Sequence, residues 1–469
     1  MKALHLFCGM GGGALGFARA GFTSVGAFDS DPSACRDLEY LTGAEATVAD
    51  LSAISPAALR EACTGRPDVV FTSPPCKAFS GCLPMGVSRT EKYQDMSSLA
   101  LRGIWLALEA WASAPPAMFV LENVPRILSR GRHWLDQVTG LLRGYGYAVR
   151  ETTHDCGELG GLAQRRRRFL LVARQVEQVP EVLYEPRRLP LRPMAAVLEQ
   201  LPVPLPGSGE GGPMHALPKL SSLNWLRLAL IPAGGDWRDL PEKVTLHCTP
   251  RSTVLGVGRW SEPSATVIGC SRHDNGTYSL ADPRVTCKRR EGSMGVTPWN
   301  SPSTTVIAAG IVQNGPWQVA DPRLEHAPRR GGHEVHGWAE PSHTIIGDAR
   351  VCKGASVADP RRVSINGELD LANPQPTYII IRAADGTWHR PLTTLELAAL
   401  QGFPTRHRGE WLVLDGASHK AWRQRIGNAV PPPAAEAIAR ECRKTLEAAR
   451  AGRLHFGSTP TWVSGEQWS

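Results

Sequence analysis

The sequence lacks the features that mark secreted, membrane and zinc proteins. No run of apolar residues is long enough to span a bilayer, and Met1–Phe7 leads directly into a glycine cluster instead of a signal segment. The 11 cysteines form no CxxC pair and no HExxH motif is present, so nothing favours a zinc site. We therefore expect reduced thiols in a cytoplasmic protein that has neither a membrane nor a metal as a partner.

Basic residues are in excess in a composition that is otherwise ordinary. The 469 residues include 52 Lys and Arg against 44 Asp and Glu, which gives a net charge of +8. Hydrophobic residues make up 42% of the chain, which is normal for a globular protein, and the length favours two domains. The excess of positive charge favours a polyanionic partner such as nucleic acid, although many basic proteins bind none.

Short apolar segments alternate with helix-like segments in the first third of the chain. The segments that resemble strands are 2–8, 24–31, 67–73, 117–124 and 167–174. Such alternation predicts an α/β domain with a mostly parallel, doubly wound sheet. In these sheets ligands bind at the carboxyl ends of the strands. Asp29, Cys76 and Glu122 all lie at such ends, together with the glycine cluster, and we expect them to meet at that edge.

The glycine cluster, LFCGMGGGALGF, lies between a predicted strand and a predicted helix. Glycine allows backbone N–H groups to come close to a ligand. Gly9, Gly11 and Ala14 match half of the dinucleotide fingerprint, and Asp29 follows at the distance of a ribose-binding acid. These residues leave NAD, FAD, S-adenosylmethionine and a purely structural turn open. Asp50 suits an adenine amino group, although a single aspartate at such a position is more often a helix cap.

A cysteine and a glutamate stand out as candidates for chemistry. Cys76 follows a proline pair that restricts the backbone, and Lys77 beside it favours the thiolate, which is the nucleophilic form. A lone cysteine after a strand is more often a small buried hydrophobe. Glu122 ends an apolar strand, where a carboxyl is costly unless it binds a partner or is protonated. A protonated Glu122 can donate a hydrogen bond to a ring nitrogen.

Four consecutive arginines follow Gln164 and run into a predicted strand. Because side chains alternate along a strand, Arg166 and Arg168 should share one face. Arg165 and Arg167 should share the other. One pair can then enter a site while the other meets phosphates, although a run of charge is usually just a solvated face.

From Pro180 onward the chain is rich in Pro, Gly, Arg and Trp, and it contains an internal repeat. Three copies align at 259–269, 298–308 and 337–347, and each is followed by the tetrapeptide ADPR. Their spacing of about 39 residues is typical of repeat arrays. A weaker fourth copy is 371–381. The copies predict small β units whose tryptophans form a shared core. The competing hypothesis is that loops at matching positions of the units face a nucleic acid.

Helical sequence returns after Arg390, and the whole chain then shows six motifs in a characteristic order. They are LFCGMGGGALGF (6–17), PPC (74–76), ENV (122–124), QRRRR (164–168) taken as Q-x-R-x-R, LQGFP (400–404) and IGNAVPP (426–432). In these motifs the chain resembles the DNA (cytosine-5-)-methyltransferases of the bacterial or phage type. The motifs lie in 1–175 and 390–445, and the segment between them sits where that family carries its variable target-recognition region.

The resemblance implies an α/β fold in two parts. One is a Rossmann-like class I S-adenosylmethionine-dependent methyltransferase domain with a mostly parallel, doubly wound sheet, and the other is a smaller β-rich target-recognition domain. The implied boundaries are 1–178 for the catalytic domain, 179–389 for target recognition with its three to four repeats, 390–452 for a return segment that completes the catalytic domain, and 453–469 for a C-terminal tail.

The resemblance also implies the reaction. The enzyme would transfer a methyl group from S-adenosylmethionine to carbon 5 of a flipped-out cytosine in a specific double-stranded DNA sequence. Cys76 would form a covalent adduct at carbon 6. Glu122 would bond to ring N3 and the exocyclic amine, and Arg166 would support the base carbonyl or Glu122. Arg168 completes the implied catalytic set.

Binding residues follow from the same motifs. S-adenosylmethionine would contact Phe7, Gly9, Gly11, Gly12, Asp29, Asp50, Pro74, Asn428 and Val430. DNA would contact Ser80, Ser88, Arg89, Asn123, Gln164 and Arg165. The chain would act as a monomer, and a cognate restriction endonuclease acting separately is the protein partner that the resemblance allows.

Two departures from the family pattern concern loop contacts and rate, and not the class of reaction. Lys77 stands where the family commonly has Gln, and the Ser-Pro-Pro lead-in to Cys76 replaces a common Gly-Phe-Pro type. Methylation of RNA cytosine is an alternative, but that branch has a compact recognition region. A catalytically dead relative is another, which the intact Cys76, Glu122 and Arg166 oppose. A flavin or nicotinamide oxidoreductase would explain only the glycine cluster.

The segment SGCLPMGVSRTEKYQDMSS (80–98) is polar and contains glycine. We predict that this loop closes over the flipped base, with Ser88 and Arg89 near the DNA backbone. S-adenosylmethionine and DNA together should therefore protect the loop from limited proteolysis, measured by mass spectrometry of the fragments, with each ligand alone as a control. Equal cleavage with and without the two ligands would contradict closure.

Overall fold

The computed structural model of the chain describes residues 1–76, 79, 91–179, 183–204, 209–218, 230–231, 239–240, 257–267, 388–453 and 461–463, together with short strands between 279 and 382. Two compact units are present. One consists of 1–216, 259–272 and 392–469, and the other of 217–258 and 273–391. The domain boundaries expected from the sequence stay predictions. Within the described ranges, no helix is both long and apolar enough to cross a membrane.

The first unit alternates strands and helices. Its strands are β1 (Lys2–Leu6), β2 (Thr23–Asp29), β3 (Thr47–Val48), β4 (Val69–Thr72), β5 (Met118–Asn123), β6 (Tyr147–Asp155), β7 (Arg167–Gln175), β8 (Leu183–Tyr184), β17 (Arg406–His407), β18 (Glu410–Trp411) and β19 (Thr461–Val463). Its helices are α1 (Gly12–Arg19), α2 (Pro32–Thr42), α3 (Pro56–Glu61), α4 (Glu91–Ala110), α5 (Ile127–Arg130), α6 (Arg132–Gly144), α7 (Cys156–Gly160), α8 (Ala195–Leu198), α9 (Thr394–Leu400), α10 (His419–Asn428) and α11 (Pro432–Arg450).

Seven strands form the central sheet in the order β3-β2-β1-β4-β5-β7-β6. Every pairing from β3 to β5 is parallel, whereas β7 runs antiparallel to both β5 and β6. The strand order reverses between β1 and β4, which makes the ends of these two strands the switch point where ligands bind in such sheets. This arrangement confirms the mostly parallel, doubly wound sheet predicted from the sequence.

Both faces of the sheet are buried, which explains why its strands are nearly continuous apolar runs. Because side chains alternate along a strand, Leu4 and Val70 pack on one face with residues of α4 and α6. Ala3 and Val69 pack on the other face with residues of α1 and α11. The C-terminal helix therefore covers the first strands of the chain, although more than 400 residues separate them in sequence.

Local sequence signals determine where the helices begin and end. The Asp31 carboxylate caps α2 by accepting from the N–H of Ser33 at 2.9 Å, and Gly43 ends this helix in the left-handed region with φ 71. At α9 the hydroxyl of Thr393 accepts from the N–H of Glu396 at 3.2 Å, and the Glu396 carboxylate accepts from the N–H of Thr393 at 2.8 Å. This reciprocal pair is a capping box.

A buried ion pair joins α2 to α10. Nε of Arg425 lies 2.6 Å from Oδ2 of Asp37, and the N–H of Asp415 donates to the other oxygen of Asp37 at 2.6 Å. Asp415 in turn pairs with Arg36 at 2.9 Å. Removal of one member of a buried pair leaves an uncompensated charge and costs about 3–5 kcal/mol. The pair therefore fixes α10, near the C-terminus of the chain, against α2, near its N-terminus.

The second unit is smaller and its described elements are strands. They are β9 (Val257–Arg259), β10 (Ser279–Ala281), β11 (Val296–Pro298), β12 (Gln318–Ala320), β13 (Val335–His336), β14 (Ser356–Val357), β15 (Ile381–Arg382) and β16 (Trp388–Pro391). β15, β16, β10 and β9 form a four-stranded sheet in that order, and β11 with β12 and β13 with β14 form parallel pairs.

The strands of the second unit recur in step with the sequence repeat. β9, β11 and β13 each precede the tryptophan of a copy, whereas β10, β12 and β14 each lead into ADPR. The repeat is thus a repeat of strands, and the smaller β-rich part expected from the sequence is confirmed. The hypotheses of a shared tryptophan core and of nucleic-acid-facing loops concern residues that lie mostly outside the described part of the chain.

Gly16 lies at a close contact between α1 and α11, and its replacement tests how much this packing contributes. A Cβ on Gly16 would lie 2.6 Å from Cβ of Ala435 and from the carbonyl oxygen of Pro432. We predict that Gly16→Ala lowers the free energy of unfolding by about 1–3 kcal/mol, as overpacking does.

Gly140 in α6 supplies a matched control, because a Cβ there would meet nothing within 4 Å. Gly140→Ala should raise the free energy of unfolding by up to ~1 kcal/mol through better helix propensity. Urea unfolding of both variants measures the difference. Similar changes in the two variants would contradict a close contact at Gly16.

Candidate active site

The loop that carries Cys76 is held by the strands on either side of β4. The N–H of Ser73 donates to the carbonyl oxygen of Leu6, at the end of β1, at 3.2 Å. On the other side, Nδ2 of Asn123, at the end of β5, donates to the carbonyl oxygen of Pro74 at 3.2 Å. The proline pair limits the remaining backbone torsions. Cys76, which is half-buried, therefore has a defined position relative to β1 and β5.

Phe79 anchors the same loop beyond the cysteine. Its N–H donates to the carbonyl oxygen of Cys76 at 3.0 Å, and its ring is buried in the cluster that includes Ile127 of α5. The ring packs so closely on Gly131 that a Cβ there would lie 2.6 Å from it. Gly131 thus makes room for the ring, and the backbone around Cys76 is held at both ends.

Glu122 at the end of β5 is held by two partners from different strands. The hydroxyl of Ser73 donates to Oε2 of Glu122 at 2.7 Å. Nε of Arg168, on β7, lies 3.0 Å from Oε1, and both side chains are largely buried. Within the described residues no donor hydrogen is aligned with Oε1. One carboxylate oxygen is therefore hydrogen-bonded, whereas the other faces the positive charge of Arg168.

The thiol of Cys76 is not activated in this state. Burial raises its pKa above the ordinary value, and the negative charge of Glu122 raises it further. The positive charges of Arg168 and Arg166 act in the opposite direction and do not outweigh these effects. The expectation that Lys77 favours the thiolate concerns a residue outside the described part of the chain. Among the described residues the balance favours the protonated thiol.

The expectation that Arg166 supports the base carbonyl or Glu122 stays a prediction: its charge interacts with that of Glu122, but its described hydrogen bonds go to backbone. The guanidinium of Arg166 is buried and donates to three carbonyl oxygens, those of Val267 at 2.6 Å, Gly427 at 2.9 Å and Ala429 at 2.9 Å. Burial lowers its pKa, but a guanidinium with three acceptors keeps its proton.

The ion pair with Glu122 is made by Arg168 instead. The alternation expected for the four arginines is confirmed, because Arg165 and Arg167 are exposed whereas Arg166 is buried.

Two residues expected to contact DNA are inside the protein. Asn123 is 1% exposed and Gln164 is 0% exposed, so neither lies at the surface of the described structure, and their contacts with DNA stay a prediction. Asn123 instead holds the loop of the nucleophile through Pro74. Arg165 is exposed, as a DNA contact requires. The other expected DNA contacts, Ser80, Ser88 and Arg89, lie outside the described residues.

The glycine cluster presents an open backbone beside a carboxylate. Phe7 and Gly9 both have positive φ, at 53 and 51, a strained conformation for a phenylalanine. The N–H of Gly9 donates to Oδ2 of Asp29 at 2.8 Å, and the N–H of Asp31 donates to Oδ1 at 3.0 Å. Burial raises the pKa of Asp29. Among the described residues, a Cβ on Gly9 would meet nothing within 4 Å.

The next glycines serve packing. Gly11 has φ 85, and a Cβ on it would lie 2.8 Å from Leu38. A Cβ on Gly12 would lie 2.0 Å from the carbonyl oxygen of Val430, so only glycine allows the return segment to come this close. Val430 is buried against the loop, whereas Asn428, at the end of α10, is exposed. The structure therefore brings Val430 to the glycine cluster.

Asp50 lies at the same edge of the sheet, two residues beyond β3. The N–H and hydroxyl of Ser52 donate to its carboxylate at 2.9 and 2.7 Å and lower its pKa. Asp50 thus caps the turn that follows it, and its side chain is exposed. No group of three or more His, Cys, Asp and Glu side chains in the described ranges is arranged to hold a metal ion.

Ser73 is the site residue that sequence reasoning missed. Its place at the end of β4, between an apolar strand and two prolines, was a usable signal, because polar residues at strand ends line such sites. Its partner Glu122 is 49 residues away in the chain, and no periodic pattern connects the two. Asn123 and Arg166 were found from their motifs, but their contacts with Pro74 and with the return segment were not.

Comparison with known proteins agrees with this geometry. The family model of the C-5 cytosine-specific DNA methylases matches residues 1–202 and 317–444. The type II methylase M.HgiDII of Herpetosiphon aurantiacus is 25% identical over 290 residues, which cover 59% of this chain and 78% of that protein. The type II methyltransferase M.NgoFVII of Neisseria gonorrhoeae is 26% identical over 297 residues, which cover 61% and 75%.

A solved structure shows the same fold. The methyltransferase EhMeth of Entamoeba histolytica aligns with a TM-score of 0.52 and 13% sequence identity, over 95% of this chain and 97% of its own. The family model, in contrast, rests on sequence and spans well over half of the chain. The protein therefore belongs to the C-5 cytosine-specific DNA methylases, and it methylates cytosine in DNA with S-adenosylmethionine as the methyl donor.

Proposed function

We propose that Cys76, Glu122 and Arg168 carry the chemistry of this methylation. The observation that supports this most directly is the ion pair between Glu122 and Arg168 near the half-buried thiol of Cys76, whose pKa responds to both charges. A thiol with a perturbed pKa at the carboxyl edge of a parallel sheet is typical of a catalytic site.

The chemistry begins with the thiolate, because carbon 5 of cytosine is a poor nucleophile. Cys76 sulfur adds to carbon 6, and a new double bond forms between carbons 4 and 5. The electron pair of the C4=N3 bond moves to N3, where Glu122 delivers a proton that its carboxylate takes up as the Cys76 thiol loses one. Carbon 5 is then the nucleophilic end of an enamine. S-adenosylmethionine, when bound, supplies the electrophilic methyl group. Loss of the carbon 5 proton to a base then expels the Cys76 thiolate by β-elimination, and N3 returns its proton to the Glu122 carboxylate.

Arg168 and Arg166 have different parts in this proposal. Proton transfer to N3 leaves Glu122 as a carboxylate, and the adjacent charge of Arg168 stabilises it. The same charge opposes the rise in the pKa of Cys76. Arg166 acts as a positioning residue, because it binds the carbonyl oxygens of Gly427 and Ala429, on either side of Asn428.

The open side of the glycine cluster fits S-adenosylmethionine. The carboxylate of Asp29 accepts the backbone N–H groups of Gly9 and Asp31, and two oxygens with about four lone pairs leave capacity for ribose hydroxyls. In the direction of a Cβ on Gly9, no described residue lies within 4 Å. The residues proposed to hold the cofactor are Phe7, Gly9, Gly11, Gly12, Asp29, Asp50, Pro74, Asn428 and Val430.

The proposed substrate is double-stranded DNA with a specific target sequence. A stacked cytosine is out of reach of Cys76, so the base has to be flipped out of the helix. The β-rich second unit would recognise the sequence, and Arg165 with Ser80, Ser88 and Arg89 would contact DNA. The relatives M.HgiDII and M.NgoFVII are named type II enzymes, which supports a role beside a separate restriction endonuclease.

The proposal also covers the oligomeric state of the enzyme and its cellular compartment. We expect a monomer on DNA. The nucleophile needs a reduced thiol, and the cytoplasm keeps thiols reduced, so this is the compartment that we propose.

Bisulfite sequencing tests the reaction and its target together. Unmethylated DNA incubated with the protein and S-adenosylmethionine should show protected cytosines within one short sequence. Cys76→Ser should abolish the protection because an alkoxide is not available at neutral pH. Cys63→Ser, which changes a half-buried cysteine of the hydrophobic core, is the matched control and should retain activity.

Absence of protection with the unchanged protein would contradict methylation of DNA. Labelled methyl groups that appear in RNA in the same reaction would then identify the other substrate. Protection that persists in Cys76→Ser would leave the methylation intact and refute the role of Cys76.

The raised pKa of Cys76 predicts how the free enzyme reacts with iodoacetamide. Only the thiolate is alkylated, so the rate at the Cys76 peptide should be low at pH 7 and should still rise above about pH 8.5, where an ordinary cysteine is half ionised. Arg168→Gln removes a charge that lowers this pKa, and should move the profile to higher pH. Peptide mass spectrometry measures the rate, with urea-unfolded protein as the control. A plateau below pH 8 would contradict the prediction.

A further inference from the structure

Ser73 connects the strand of the nucleophile to the strand of the acid. It is the first residue after β4 and stands three residues before Cys76. Its hydroxyl donates to Oε2 of Glu122 at 2.7 Å. Its own N–H is bound to the carbonyl oxygen of Leu6 at 3.2 Å, so β1 determines where the hydroxyl lies.

The contact is one half of a reciprocal pair. Ser73 reaches from the loop of the nucleophile to Glu122, and Asn123, the next residue after Glu122, reaches back to the carbonyl oxygen of Pro74 at 3.2 Å. Two adjacent residues of β5 are therefore tied to two adjacent residues of the loop. A shift of the acid relative to the loop would have to break both hydrogen bonds.

The two oxygens of Glu122 consequently differ. Oε2 accepts the hydroxyl of Ser73, whereas Oε1 faces Arg168 at 3.0 Å without an aligned donor hydrogen in the described structure. A carboxylate with one oxygen already bound cannot rotate freely about its terminal bond. Oε1 is therefore the oxygen with full capacity left for a new hydrogen bond.

We propose that Ser73 is a positioning residue for this reaction, because its hydroxyl orients the Glu122 carboxyl toward the base and stabilises the carboxylate that remains after proton transfer to N3. The inference rests on the role proposed above for Glu122. It also gives a meaning to the Ser-Pro-Pro lead-in, since a glycine at position 73, as in the Gly-Phe-Pro type, has no hydroxyl to donate.

Ser73→Ala tests the proposal in the full-length enzyme. The variant lacks a hydrogen bond to a charged group, and this bond strengthens in the transition state. Its loss should lower the single-turnover rate about 10- to 100-fold. The KM for DNA should change less than about twofold, because the hydroxyl acts on Glu122 and not on DNA binding. Ser73→Thr keeps a hydroxyl and should recover most of the rate.

Thr72→Val is the matched control. Thr72 is the preceding residue, is fully buried, and its hydroxyl has no hydrogen-bond partner among the described residues. The rate of this variant should equal that of the unchanged enzyme. Thermal unfolding of every variant, with Ser73→Gly as a second way to remove the hydroxyl, separates loss of fold from loss of positioning.

A double-mutant cycle with Glu122→Gln separates this proposal from the one on which it rests. If Ser73 acts through Glu122, Ser73→Ala should cause little further loss once Glu122→Gln is present. An equal further loss in that background, or a rate of Ser73→Ala close to that of the unchanged enzyme, would overturn the role of Ser73. A Glu122→Gln variant with full activity would instead refute the role of Glu122 itself.

Discussion

The close packing of the return segment on the glycine cluster is the contact on which the edge of the active site depends. Gly12 and Gly16 have no side chains, and the space that a Cβ would take is filled by the carbonyl oxygen of Val430 and by α11. The last long helix can therefore cover one face of the sheet and bring Val430 to the first loop of the chain. A single methyl group at either glycine would separate the two segments, because interiors are packed without spare volume.

Polar contacts inside the first unit give the same segment its register. Asp37 binds Arg425 of α10, and Arg166 donates to the backbone of Gly427 and Ala429. Buried charges are tolerated only where partners satisfy them, so each contact specifies one position along the return segment. Arg166 belongs to a motif that suggests catalysis, but its guanidinium donates hydrogen bonds to the backbone of the return segment.

At the carboxyl edge of the sheet, hydrogen bonds hold the proposed catalytic residues in place, while the thiol of Cys76 is protonated. Ser73 and Arg168 hold Glu122, while Asn123 and Phe79 hold the loop of Cys76. Burial and the charge of Glu122 raise the pKa of the Cys76 thiol, which favours its protonated form before substrate binds. In the proposed mechanism Glu122 takes up a proton before it protonates N3, which removes its negative charge while the positive charges of Arg168 and Arg166 remain near Cys76. The positions of Glu122 and Cys76 are therefore fixed before substrate binds, whereas the thiolate forms only in the complex with substrate.

The sequence by itself determined the sheet, the two-part organisation and the order of the motifs. Strand periodicity, glycines before a helix and residues at strand ends are local signals, and they located Asp29, Cys76 and Glu122 at one edge. The tertiary structure decided which side chains meet. It paired Glu122 with Arg168 instead of Arg166, buried Asn123 and Gln164, and added Ser73 to the site. These contacts join residues far apart in the chain, and their geometry depends on how neighbouring strands align, which leaves no periodic trace in the sequence.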